Sequence, residues 1–164
     1  MKIPANYTIR LARMPGLDIS LGVGGLQLFP ASEIEGEQTG YSVKKDGTSL
    51  VTDADGGWKA SWIVIGCEKS CGDPLILDTS NAALPVLSDF SGQGRWDPVP
   101  ISPSLEAFLS SFEKFAKLAA GRSTPMERDA NPVSDEERGA FLVEIEKING
   151  EAMNPDFWGA LLEA

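Results

Sequence analysis

The stretch WIVIGCEKSCGDPLILDTSNAALPVLSDF, Trp62 to Phe90, carries the reading of this chain. It holds three short apolar runs, Trp62–Ile65, Leu75–Leu77 and Val86–Leu87. Each is too short for a helix and rich in Ile, Val and Leu. Gly66, Gly72-Asp73 and Asp78 to Asn81 punctuate them. Continuous apolar runs of this length, bounded by turn residues, predict buried β-strands joined by turns. Two cysteines and several aspartates in the same stretch raise a second reading, a metal or redox site. Cys67 and Cys71 have three residues between them, which is not the C-x-x-C redox spacing. A structural zinc site takes four Cys or His ligands, and the chain has 2 Cys and 0 His. Zinc would need carboxylates or a second subunit. Cys67 is therefore expected to be a small buried residue at a strand end. A regulatory disulfide is the alternative left open. Asp73, Asp78 and Asp89 sit where strands end, as turn residues do. Carboxylate-pair hydrolysis would require two of them to face each other across a cleft.

Upstream, Asn6 is expected to cap a short helix through Arg13, ended by Pro15-Gly16. Leu17, Ile19 and Leu21 alternate with Asp18 and Ser20, the period of a half-buried strand. Gly22, Gly24 and Gly25 form a turn into a second strand through Leu26, Leu28 and Phe29, closed by Pro30. GVGG at Gly22–Gly25 lacks the following helix of a dinucleotide fingerprint, and no GxxxxGK[ST] loop occurs. Tyr41–Lys44 and Ser49–Thr52 flank Asp46-Gly47, a hairpin signal. Asp53–Gly57 reads as a turn in which Asp bonds its own backbone; an EF-hand loop would need further ligands and a closing Glu. A last strand is expected to end at Ile101.

The period then changes. Ser102 as N-cap and Pro103 at the first position predict a helix start. Leu105, Phe108, Leu109, Phe112, Phe115, Ala116 and Ala119 form one wide apolar face that must pack on the sheet. Gly121 stops it. Arg122–Val133 reads as a polar linker. Ser134 and Glu137 make a capping box for a helix with Phe141, Leu142, Ile145 and Ile148 on its apolar face, ended by Asn149-Gly150. Asn154-Pro155 opens a final turn carrying Phe157, Trp158, Leu161 and Leu162.

The chain of 164 residues is expected to be one domain over 1–120 with an acidic linker and helical extension over 121–164. The start has no apolar stretch of signal-peptide length and no run suits a membrane span, so a cytoplasmic protein is expected. With no histidine, Ser-His and Cys-His nucleophiles and histidine acid–base work are excluded. No catalytic set, cofactor or metal site is expected. The net charge of −10 disfavours nucleic-acid phosphates and favours basic partners. Residues 51–99 carry three basic residues (Lys59, Lys69, Arg95) against seven acidic ones, and residues 121–164 carry four against ten. Three of the four tryptophans lie in the former stretch. Acids around aromatic anchors suit a protein interface. Trp62 is expected in the core. Trp58 and Trp96, among Gly, Lys, Arg and Asp, are expected at the surface. The candidate partner-binding residues are Asp53, Asp55, Trp58, Asp73, Asp89, Trp96 and Asp97.

The order of segments resembles a known family. IPANY at Ile3–Tyr7, GGLQLFPASEI at Gly24–Ile34, Gly40-Tyr41, WIVIG at Trp62–Gly66, GDPLILD at Gly72–Asp78 and PVPISPSLEAFLSSF at Pro98–Phe112 follow the pattern of the SMI1/KNR4 family, the SUKH superfamily. The resemblance covers roughly residues 3–118. Two departures stand out. The sequence opens at the segment that the family precedes with a helix, and the family's Gly-x-Val-Tyr strand is replaced by Leu84-Pro85-Val86-Leu87. The resemblance implies an α+β fold, a curved, mostly antiparallel sheet of about six strands with packed helices. It also implies a non-enzymatic protein-binding role, as an immunity protein that neutralises a basic bacterial toxin such as a nuclease. A regulatory interaction scaffold without a toxin is the alternative. A third is a ligand-binding protein or enzyme running on carboxylates, Tyr7, Tyr41 or a bound metal.

Overall fold

The computed structural model describes residues 3–14, 16–150 and 154–163. Six strands form one open sheet: β1 (Asp18–Leu21), β2 (Gly24–Leu28), β3 (Trp62–Glu68), β4 (Pro74–Asp78), β5 (Val86–Ser88) and β6 (Val99–Ser102). They lie in sequence order, and every neighbouring pair is antiparallel. The fold is α+β, with a curved sheet of this kind. Register shifts at Val64/Gly66 and Val86/Leu87 mark bulges, which bend and twist a sheet.

The strand patterns have a physical cause. Successive side chains in a strand point to opposite faces. In β3, Ile63 and Ile65 enter the main core, while Val64 enters a second cluster on the other face. In β4, Leu75 and Leu77 go one way and Ile76 the other; Val86 and Leu87 of β5 divide likewise. These strands are covered on both faces and need apolar residues at every position. In β1 only Ile19 and Leu21 enter the core, so it alternates with Asp18 and Ser20. Gly66 sits where β2 and β3 approach closely: a Cβ there would lie 2.1 Å from the Gln27 carbonyl oxygen.

Helix α1 (Ala5–Leu11) follows Pro4 rather than an Asn6 cap; Asn6 lies inside its first turn. Pro15, expected to help end it, lies outside the described residues. Tyr7 is fully buried, its hydroxyl 2.8 Å from the Phe29 carbonyl and 3.1 Å from that of Ile65, one hydrogen shared between them. Burial pushes its ionisation far above the usual tyrosine range. The Asp46-Gly47 turn forms, with Asp46 accepting from the Thr48 amide at 2.9 Å, but its flanks make one antiparallel bridge, Val43 to Ser49, rather than two strands.

Helix α2 (Leu105–Ala119) starts two residues later than expected. Ser102 is still paired to Val86 in β6, and its hydroxyl is held by Asn149. With Ser102 kept in the strand, Ser104 becomes the cap, accepting from the Ala107 amide at 3.1 Å. The expected linker holds a helix, α3 (Pro125–Ala130), with its own capping box of Thr124 and Glu127. Pro125 does not break this segment, because it occupies the first turn of the helix, where proline is favoured. Helix α4 (Asp135–Asn149) opens on the Ser134/Glu137 capping box, and α5 (Pro155–Ala160) on Asn154. Phe141, Ile145, Trp158, Leu161 and Leu162 enter the same core as the sheet and α2. Trp158 donates its indole N–H to the Ile101 carbonyl at 3.0 Å. Arg122 is buried but fully served: Leu118 and Asn131 carbonyls and the Glu137 carboxylate accept from its guanidinium at 2.7–3.0 Å.

Candidate functional site: an acidic cleft with an apolar floor

Between β2 and β3 the chain carries Tyr41 and Trp58 as a layer onto the sheet face opposite the helices. Trp58 is the centre of that layer, 1% exposed, packed with Val64, Ile76 and Leu87. Tyr41, Trp62 and Trp96 surround it with ring centroids 5.4, 5.5 and 5.1 Å away. Its indole N–H donates to the Trp62 carbonyl at 3.2 Å. The expectation for Trp58 is thus corrected: it is a core residue, because the loop that carries it is the cover of the sheet. Trp62 and Trp96 are half-buried at the cluster's margin. Burial raises the Tyr41 ionisation, reinforced by nearby Cys67, Asp73 and Glu37.

Gln38 ties this layer to the sheet. β2 gives way to a turn beyond Phe29, leaving both backbone groups of Val64 without a strand partner on that side. The Gln38 side chain replaces it, accepting from the Val64 amide at 3.0 Å and donating to the Val64 and Ile34 carbonyls at 2.9 and 2.8 Å.

On the helix face, at the end of the sheet where β3 and β5 finish and β4 and β6 begin, lies a cleft of about 580 Å³. Its floor and walls include Phe90, Val99, Ile101, Phe157 and Leu161. Its acids are Glu68, Asp73, Asp89, Asp97 and Asp156, and among the described residues no Lys or Arg lines it. Local turn chemistry places the acids. Glu68 folds back to accept from the Ser70 and Cys71 amides at 2.8 and 2.9 Å. Asp73 accepts from the Ser91 amide at 2.9 Å, and Asp89 from the Asp97 amide at 2.6 Å, which pins the β5–β6 loop around the cleft. Helix α5 brings Asp156 and Phe157 as the opposite wall. Among nearby cations, Lys69 is held by Asp18 and Ser20 of β1, and Arg95 makes an exposed 3.5 Å pair with Asp97.

Of the candidate partner-binding residues, Asp73, Asp89 and Asp97 line this cleft. Asp53 and Asp55 do not line it; they stand in an exposed turn where Thr52, not Asp, accepts the turn's bond from the Ala54 amide at 3.2 Å. That turn still touches the cleft's loop, since the Trp96 amide donates to the Gly56 carbonyl at 2.8 Å. Glu68, Phe90, Asp156 and Phe157 were missed by sequence reasoning. Phe90, an aromatic inside an Asp-Phe-Ser-Gly turn, was the one local signal available. Cys67 lies within β3, half-buried, and burial raises its thiol ionisation; Cys71 is exposed at the cleft, and both are free thiols. Among the described residues no three Cys, Asp or Glu side chains converge as a metal cluster, and no helix is long and apolar enough to cross a membrane. Compared with protein-family models, curated proteins and solved structures, the chain matches none of them.

Proposed function

We propose that this chain is a non-enzymatic protein-binding module of the SMI1/KNR4 type, an immunity protein that neutralises a basic toxin domain such as a nuclease in the cytoplasm. The observation that carries this reading is the cleft: five acids around an apolar floor, with no Lys or Arg lining it among the described residues. Charge of one sign around a concave apolar surface steers and selects a partner of the opposite sign. Leu84 lends support to the family reading. It adopts a φ of 56°, the left-handed region that favours glycine, at the place where the resemblance has its glycine. Its side chain is buried in the main core, which offsets the strain.

The test is affinity capture from the source cell's lysate with salt-step elution, followed by reconstitution with the purified basic partner and a nuclease-inhibition assay. Asp97→Lys with Asp156→Lys should slow association and weaken inhibition, while Asp53→Lys with Asp55→Lys should have the smaller effect. Unchanged affinity and on-rate in both pairs would remove the electrostatic basis of the reading. Several weak partners in place of one would favour a regulatory scaffold.

A further inference from the structure

Resting on the protein-binding reading, we infer that the cleft between the β5–β6 loop and α5 receives an arginine side chain flanked by an apolar residue, presented by the partner protein. Four observations carry this.

The first is charge complementarity at a concave surface. Asp97 and Asp156 are exposed at the cleft while Glu68 is buried, and among the described residues no three acids converge as a metal cluster. A metal ion needs converging ligands, whereas a planar guanidinium with five donors can reach several separated acceptors. The second is Ser88. It is 6% exposed, lines the cleft, and makes no side-chain hydrogen bond among the described residues. It pairs with Leu75 of β4, whose side chain enters the helix-side core, so both side chains point to the cleft's face of the sheet. Its hydroxyl opens to the cleft's solvent and can accept from a donor placed there. A guanidinium N–H is such a donor.

The third is the floor. Phe90 is 67% and Val99 49% exposed, two large apolar side chains left in the open beside the carboxylates. Arginine stacks on aromatic faces, and a neighbouring apolar side chain of the partner would cover Val99 and Phe157. The cleft volume falls in the range that encloses side-chain-sized groups. The fourth observation disfavours strand addition at β6, the sheet edge beside the cleft. β6 is an edge strand, but Pro98 precedes it and Pro100 lies within it. The Ile101 carbonyl is taken by the Trp158 indole. Few ladder groups remain for an added strand, so recognition falls to side chains in the cleft.

The experiment uses the full chain, labelled with nitrogen-15, and three capped tripeptides followed by NMR. Acetyl-Leu-Arg-Leu-amide is the probe. Acetyl-Leu-citrulline-Leu-amide keeps its shape without the charge, and acetyl-Gly-Arg-Gly-amide keeps the charge without the apolar flanks. The arginine probe should shift the amide signals of Phe90, Val99, Phe157 and Leu161 saturably at concentrations up to about 10 mM, near the weak limit of specific recognition. It should also slow maleimide labelling of Cys71. Both controls should bind at least about tenfold more weakly, as expected for losing a charge-assisted bond or a buried apolar contact. Asp97→Asn with Asp156→Asn should weaken the probe by roughly fivefold, the scale of exposed charge pairs. Ser88→Ala should weaken it further in the Asn background. Equal binding of the citrulline peptide would overturn the guanidinium assignment. Shifts confined to the Asp53–Gly57 turn, or none at the cleft, would overturn the site. A captured basic protein that leaves Cys71 fully reactive would overturn this inference while leaving the protein-binding reading standing. Loss of that reading itself would appear as no basic partner in the capture experiment.

Discussion

Replacing Gln38 with alanine tests how the loop layer is fastened to the sheet. Gln38 is 3% exposed, and its carboxamide makes three bonds of 2.8–3.0 Å, two of them to the backbone of Val64. Val64 is fully buried, so its amide and carbonyl would be left in a dry site. Each stranded group costs about 1–3 kcal/mol. Two of them predict a loss of about 2–6 kcal/mol, a large part of the roughly 5–15 kcal/mol that holds a domain together. With a mid-range urea slope of about 2 kcal/mol per molar, the unfolding midpoint should fall by about 1–3 M. Tryptophan fluorescence should follow, because Trp58 sits in the layer that Gln38 fastens. Hydrogen exchange at the Val64 amide should accelerate. Gln38→Met separates the causes: it fills the space without making the bonds and should cost nearly as much as alanine. If methionine restores stability, packing rather than hydrogen bonding is what Gln38 supplies. A midpoint shift below about 0.3 M for alanine, which is under 1 kcal/mol, would refute the reasoning outright.

Gly66→Ala should destabilise by about 3 kcal/mol or more, since its Cβ would meet the Gln27 carbonyl at 2.1 Å inside a strand pair; a near-normal melting curve would refute this. Glu137 is held below the usual glutamate range by the Ser134 amide and by Arg122, so its contribution to stability is present above its unfolded value of about 4.3 and is lost as pH falls through the lower folded value. Glu137→Gln should therefore flatten the acid limb of a stability–pH profile, and an unchanged slope would count against that linkage. Cys71 should take up a maleimide well before Cys67, whose thiol is half-buried and held protonated to higher pH; mass spectrometry of the labelled peptides decides, and equal rates would refute it. Removal of residues 121–164 should leave a chain without cooperative unfolding, because Phe141, Ile145 and Trp158 complete the main core; a sharp transition in the truncated chain would refute this.

What could be read from the chain alone was local. Short apolar runs specified β3, β4 and β5, alternation specified β1, and three- and four-residue spacing specified α2 and α4, because backbone geometry sets these periods within a few residues. The Ser134/Glu137 box and the turn roles of Asp46, Asp78 and Asp89 were equally legible, since donor and acceptor lie close in sequence. Where two local signals competed, tertiary context chose. Ser102 and Ser104 both suit an N-cap, and pairing of Ser102 with Val86 left the role to Ser104. Trp58 is flanked by Gly and Lys like a surface residue, yet a loop folded over the second sheet face buries it. The cleft belongs wholly to that level. Its walls join β3, the β5–β6 loop and α5, segments up to about ninety residues apart. No period or spacing in the chain encodes their meeting; the packing of α5 against the sheet end, through Trp158 and Ile101, creates it.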